Sequence, residues 1–290
     1  MSVEIRPLSY ALGAEVCGVN ISKPLDDKII RQIHTAFLDH GILLFRGQPL
    51  TRQQHVAFSR QLGEVDDNKS KVDDKASDCP EIMVVTNKPA PGAKQSSRIG
   101  KPVGEDWHTD VIHSSVPPMA SLLRSVELPE SGGDTMFSNQ YLAFETLSDG
   151  MKKLIEGLHG VHSGSGSRID NSTPERAAET RRRNPPIAQP LVRIHPETGR
   201  KSLYLTQRFK YFAGMTAEES KPLIDYLCNH STRPQFVYRH VWRKDDLVMW
   251  DNRCTMHIAV GDYDRTQTRH LEKTTLLGTP SGYVYDGALQ

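Results

Sequence analysis

Trp107-His108-Thr109-Asp110 sets an imidazole and a carboxylate two positions apart. Side chains alternate across an extended strand, so residues i and i+2 share a face. A histidine and an aspartate offered on one face suit a divalent metal, and a third donor can come from far along the chain. His257 is the best candidate: it closes the run Asp246-Leu-Val-Met-Trp250-Asp-Asn-Arg-Cys254-Thr-Met-His257, a buried-strand pattern followed by a tight turn. Two histidines and one carboxylate make the facial triad of non-haem iron(II) oxygenases, which leaves three coordination positions open. One His-x-Asp alone arises often by chance; the weight lies on the three together.

Two other donor groupings compete. His195-Pro196-Glu197 has the same spacing, but the proline removes a ladder donor and Pro-Glu-Thr-Gly reads as a hairpin turn. A turn tip is a poor place for a rigid metal site. Cys254 and His257 have Cys-x-x-His spacing, with no second Cys or His pair at zinc-finger distance, which disfavours zinc. Downstream, a strand over 268–277 would put Arg269, Leu271 and Lys273 on one side. A basic pair on the wall of a metal site attracts anions, and arginine's fork matches a carboxylate through two parallel bonds. Thr135, in Ser-Gly-Gly-Asp-Thr, could add a hydroxyl to such an anion. The plainer alternative is a strand edge decorated with charge.

The elements that must position these groups are mostly short strands. They are expected at 42–45, 82–86, 120–128, 134–138, 189–194, 201–205, 235–242, 246–250 and 273–278. Helices are predicted over 27–40, from Thr51 to about Gly63, near 149–157, and from Thr216 onward. Thr51 with Gln54, and Thr216 with Glu219, have capping-box spacing, and Gly41 is a stop signal. This is a mainly β chain with flanking helices, a sandwich or barrel. Residues 66–106 read as loops around the strand at 82–86. Residues 163–186 carry almost no large apolar side chain and read as a mobile lid.

Composition excludes some partners. The chain has 290 residues and a net charge of +1, so neither nucleic acid nor a membrane surface is an expected partner. No apolar run approaches the roughly 18 residues of a membrane span. The N-terminus lacks an apolar signal core, and the four cysteines are scattered. A cytoplasmic protein handling a small molecule, as a homo-oligomer, is the expectation.

Taken in order, several segments resemble the taurine dioxygenase and 2,4-dichlorophenoxyacetate dioxygenase family. They are LGAEVCGVNISKPL, HGILLFRGQPLTRQQHVAFSRQLGEV, WHTD, PESGGDT, HPETGRKSLYL, WDNRCTMHIAV and Arg-x-x-x-Lys-Thr-Thr-Leu-Leu-Gly. The resemblance spans nearly the whole chain and implies one double-stranded β-helix (jelly roll) domain over 1–290. It also implies an enzyme using Fe(II), 2-oxoglutarate and O2 to hydroxylate an unactivated C–H bond of a small anionic substrate, releasing succinate and CO2. By the same resemblance His108, Asp110 and His257 match the iron ligands. Thr135 and Arg269 match the residues at the near and far carboxylates of 2-oxoglutarate, and Trp250 matches an aromatic wall. There is one departure: sulfonate- and phenoxyacid-using members carry a second arginine where this chain has Lys273. Lysine is a point charge that cannot fork onto an anion, so a substrate role for Lys273 differs from the family's. Two rival classes are a non-catalytic jelly-roll metal-binding or sensor protein and a zinc hydrolase on the same ligands.

Overall fold

The computed structural model describes residues 3–67, 75–76, 78–88, 106–163, 179, 182, 184–209 and 211–287. The chain opens with a hairpin of β1 (Glu4–Pro7) and β2 (Ala14–Cys17), followed by α1 (Asp27–His40). Gly41 ends α1 at φ +68°, its N–H bonding to Phe37 O, the left-handed cap that glycine adopts without steric cost. Next come β3 (Ile42–Phe45) and α2 (Arg52–Leu62), which opens on the capping box of Thr51 and Gln54. The short β4 (Lys75–Ala76), β5 (Cys79–Thr86) and β6 (Ala120–Glu127) follow. Strand β7 (Thr135–Asn139) runs directly into α3 (Gln140–Glu145), whose first amides are capped by the Asn139 side chain.

The second half continues with α4 (Asp149–Ile155), β8 (His159–His162), β9 (Ile187–Pro190), β10 (Val192–Ile194) and β11 (Lys201–Leu203). Helix α5 (Ala217–Ser231), with the Thr216–Glu219 capping box, leads to β12 (Val237–His240). The chain closes with β13 (Leu247–Asp251), β14 (Thr255–Ala259), β15 (His270–Leu276) and β16 (Tyr283–Val284).

An eight-stranded sheet in the order β1-β2-β3-β13-β6-β15-β5-β4 faces a three-stranded sheet, β12-β7-β14. The strand alternation sorts every side chain. Leu44, Leu123, Val248, Trp250 and Leu271 point inward and meet Phe137 of β7 in one core. Leu43, Phe45, Leu122, Leu247 and Met249 point outward and are covered by Phe37 of α1 and Phe58 of α2. The back of the small sheet, through Met256, is covered by Leu227 of α5, Leu147 between α3 and α4, and other residues. This is the jelly roll, two facing sheets jacketed by helices.

The sequence reading differs from the structure in detail. Residues 187–194 are two strands rather than one, because β9 pairs with β8 and β10 pairs with β11. Strand β5 starts at Cys79, three residues before the predicted start. Helix α3, only 6 residues long, was not predicted; it is too short to show a periodic stripe. Of the expected lid, only residues 163, 179, 182 and 184–186 are described; the rest of that expectation lies outside the described residues.

On the outer face of β15, Glu272 is buried and pairs with Arg124 and with Arg52 Nε at 2.7 Å. Burial alone would raise its carboxyl, but hydrogen bonds from His270, Arg124 and Arg52 hold it at about 2, below the ordinary 4.5. A depressed carboxyl stabilises the fold above its unfolded pKa and loses that contribution as pH falls through the folded value. Glu272→Gln should therefore cost on the order of 3 kcal/mol at pH 7. The melting-temperature gap to wild type should narrow between about pH 4.5 and 2, and thermal unfolding at pH 7 and pH 3 checks this.

Candidate metal centre and anion site

His257 sits on the inner face of β14, just after the corner at Asn252–Cys254 where the chain crosses from the large sheet to the small one. Its backbone bonds reciprocally to the segment carrying the other donors: His108 N–H to His257 O at 3.0 Å and His257 N–H to His108 O at 2.7 Å. Trp107 is tied on the far side by Gln207. After this single bridge the chain turns, with Val111 at φ +49°. His108 and Asp110 therefore converge through one bridge and a turn rather than through a full strand. One donor atom each from His108, Asp110 and His257 lies within 4.8 Å of the others. The two imidazoles stand 4.2 Å apart, centroid to centroid.

Protonation states follow from the neighbours. His108 Nδ1 is 2.7 Å from Asp106 O. A carbonyl only accepts, so Nδ1 carries the proton and Nε2 keeps its lone pair. Burial pushes both histidines below their ordinary range, and for His257 the neighbouring His108 adds to the effect. Both are neutral ligand forms at pH 7. Burial would raise Asp110, but the Lys273 ammonium, the two histidines and the Ser121 hydroxyl hold its carboxyl well below the usual range. His257 Nδ1 is buried with no hydrogen-bond partner among the described residues. Two neutral imidazoles, one ionised carboxylate and an orphaned ring nitrogen fit a divalent transition metal.

The donors open on a cavity of about 130 Å³ between the two sheets. Met83, Val85, Leu123, Trp250 and Ala259 give it apolar walls, and the Trp250 ring lies 4.8 Å from that of His257. Arg269 and Thr135 line the same cavity. Arg269 Nε donates to Gly133 O at 2.8 Å, and Nη2 reaches Thr135 Oγ1 at 3.5 Å. Among the described residues no carboxylate pairs with this buried guanidinium. Burial lowers its pKa, yet arginine stays charged in proteins. A buried, unpaired guanidinium is costly, and an anion entering the cavity relieves that cost. Thr135 Oγ1 also accepts from Trp242 Nε1 at 3.0 Å, which leaves its own O–H to donate elsewhere. Lys273 lines the cavity too, but its Nζ is held 2.9 Å from Asp110 Oδ2, a contact the strand pattern did not reveal.

The competing groupings resolve differently. His195 begins a hairpin turn, with Gly199 N–H bonding to His195 O, but its ring is fully buried rather than exposed at a tip. His195, Asp251 and Cys254 form a second close donor cluster. Both oxygens of Asp251 are occupied by Arg253, and His195 Nε2 donates to Oδ2 at 3.1 Å. His195 Nδ1 accepts the turn amides of Glu197 and Thr198, and burial keeps the Cys254 thiol protonated. This cluster locks the β13–β14 corner: the carboxylate and both His195 nitrogens are already engaged, and a protonated thiol is a poor ligand for a cation. Cys254 points to it, away from the triad, so the Cys-x-x-His spacing carries no chemistry. Sequence reasoning missed Ser121, Asn252 and Gly133, small or polar residues whose roles exist only through tertiary contacts.

A jelly roll that brings such donors beside a free guanidinium defines a class of α-ketoglutarate-dependent oxygenases, and comparison narrows it. The family model for taurine catabolism dioxygenase TauD, TfdA family, matches residues 4–275. The α-ketoglutarate-dependent 2,4-dichlorophenoxyacetate dioxygenase of Burkholderia sp. strain RASC is 32% identical over 284 residues, 96% of this chain and 95% of that protein. An alkylsulfatase of Acinetobacter baylyi is 34% identical over 286 residues, 95% of this chain and 85% of that protein. Among solved structures, AAD-2 in complex with Mn(II) and N-oxalylglycine superposes with a TM-score of 0.84 at 31% identity, covering 98% of this chain and 100% of that one. A taurine dioxygenase from Burkholderia xenovorans gives 0.79 at 35%, covering 99% and 96%. The chain belongs to the TauD/TfdA dioxygenase family.

Gly133 links sequence to the anion site. It adopts φ +70°, and a Cβ there would lie 3.1 Å from Arg269 Cδ and 3.2 Å from Nε. Gly133→Ala adds left-handed strain of about 1–2 kcal/mol and pushes the guanidinium aside. The expected outcome is a KM for 2-oxoglutarate raised about tenfold or more with kcat less affected, read by succinate formation.

Proposed function

We propose that this enzyme couples oxidative decarboxylation of 2-oxoglutarate to hydroxylation of a C–H bond in a small anionic organic substrate. The single observation that carries the residue assignment is the Arg269 guanidinium, paired with no carboxylate among the described residues, in the same cavity as the His108, Asp110 and His257 donors. Those three would hold iron(II). When bound, the iron supplies dioxygen activation, with succinate and CO2 as products of the cosubstrate. Arg269 receives the distal carboxylate of 2-oxoglutarate and thereby fixes the orientation of its reacting end. Thr135 directs its hydroxyl toward the near carboxylate, and Trp250 with Leu123 and Val85 keeps water from the reacting atoms.

Charge supports an anionic prime substrate. The cavity holds two cationic side chains against one carboxylate. A divalent metal raises that excess, and a doubly charged cosubstrate does not remove all of it. Lys273 has three N–H donors, one of which serves Asp110; the others are available to a substrate carboxylate or sulfate. Relatives named for a phenoxyacetate and for sulfate esters agree with this class. Among the described residues no helix is long and apolar enough to cross a membrane. The near-neutral net charge fits an enzyme that works on a small molecule without nucleic acid, and we take it as a cytoplasmic homo-oligomer with one catalytic domain.

The decisive assay is succinate release on adding iron(II), 2-oxoglutarate and oxygen. His108→Ala and Asp110→Ala should abolish it. Arg269→Ala should raise the 2-oxoglutarate requirement steeply, since truncating one partner of a buried charge pair costs roughly 2–5 kcal/mol. An unchanged requirement would move the clamp elsewhere, and turnover surviving without oxygen would mean hydrolysis. Lys273→Ala should weaken substrate-stimulated turnover more than uncoupled 2-oxoglutarate decay; an equal loss of both would remove Lys273 from the substrate site.

A further inference from the structure

We propose that Asn252 is a positioning residue that determines which oxygen of Asp110 faces the cavity, acting through Ser121. This rests on the reading of His108, Asp110 and His257 as a metal centre. Asn252 is fully buried at the β13–β14 corner. Its amide orientation is set by chemistry: Trp250 Nε1, a donor only, lies 2.9 Å from one amide atom, which must therefore be Oδ1. Nδ2 then faces Ser121 Oγ at 3.1 Å. Ser121 Oγ accepts that bond and directs its single hydrogen to Asp110 Oδ2 at 2.6 Å. Lys273 donates to the same oxygen, while Asp110 Oδ1 accepts no hydrogen bond from the described residues. The carboxylate is thus held with one oxygen saturated and one free for a cation.

Asn252 also clamps the backbone of the donor segment. Its carbonyl accepts the Thr109 hydroxyl at 2.7 Å, and Oδ1 lies 3.4 Å from Asp110 N. Its own N–H bonds to Met119 O at 2.9 Å. One residue, five positions before His257, therefore ties the strand carrying Ser121, the Thr109–Asp110 turn and the corner before His257, through its backbone to Thr109 and Met119 and through its side chain to Ser121 and Asp110 N. A hydrogen-bonded outer partner of this kind orients a ligating carboxylate.

The test is a double-mutant cycle read as Mn(II) affinity on the whole protein, by the electron paramagnetic resonance of free Mn(II), with no turnover involved. Ser121→Ala and Asn252→Ala are each expected to weaken binding by about 10–100-fold. In the double variant the combined loss should fall well short of the sum, because Asn252 acts mainly through the hydroxyl that Ser121→Ala has already removed. Ser121→Thr keeps the hydroxyl and should restore most of the affinity. Additive losses, or an Asn252→Ala affinity indistinguishable from wild type, would overturn the proposal. Circular dichroism of the metal-free variants checks folding, and Asn252→Ser closes the cycle should the alanine variant not fold. Failure of the wild-type protein itself to bind Mn(II) would overturn the metal-centre reading, an outcome distinct from binding that is insensitive to Asn252.

Discussion

The reciprocal backbone bond between His108 and His257 is the constraint on which the site depends. It joins two segments remote in the chain through main-chain groups alone, so it fixes their spacing before any side chain is chosen. With N···O separations of 3.0 and 2.7 Å, the two imidazoles have little choice but to stand side by side. The turn that follows His108 then decides where Asp110 goes, and the corner that precedes β14 supplies the residue that receives it. Had the bridge formed one residue out of register, one histidine would face the helices packed behind the small sheet.

The cavity exists because the inner faces of the two sheets change character along their length. Over one part, Leu44, Phe137, Trp242 and Val248 fill the space between the sheets to ordinary core density. Over the other, Thr135 and Ala259 line the cavity where larger residues would close it. Their small side chains keep room for ligands, and Thr135 also supplies a hydroxyl beside the Arg269 guanidinium. The same substitution of small for large therefore creates both the volume and its hydrogen-bonding specificity.

Much of the fold was legible in the sequence, for reasons tied to particular residues. Helix α1 has an apolar stripe and a glycine stop, and both capping boxes lie where Thr and Gln or Glu spacing put them. Strands β3 and β13 are continuous apolar runs covered on both faces. The convergence of His108, Asp110 and His257 was legible only as a combination, since the distance between them is a tertiary fact. What the sequence hid was of one kind. Helix α3 is created by the Asn139 cap, and the split of 187–194 at Leu191 comes from different pairing partners. The roles of Ser121 and Asn252 come from contacts made across the corner. The attachment of Lys273 to Asp110 was likewise invisible, because alternation gives a face and not a partner.

Strand β15 shows how these constraints are enforced. Its neighbours in sequence, Glu272 and Lys273, are oppositely charged and point to opposite faces, one to Arg52 and Arg124 beneath α2, the other to Asp110 in the cavity. A one-residue slip would carry a carboxylate into the anion site and leave an ammonium beneath α2 among arginines. Each misplaced charge would lose its buried partner, at several kcal/mol apiece. The register of β15 is therefore guarded by electrostatics as well as by Leu271 and Leu276. The register of β15 against β6 shifts between His270 and Leu271, where β6 carries Val126 as the extra residue, and Arg269 lies just before the strand begins. Guanidinium and ammonium thus share the cavity with different attachments: Lys273 tied to the donor set, and Arg269 held, among the described residues, by hydrogen bonds to neutral groups alone, ready for an anion.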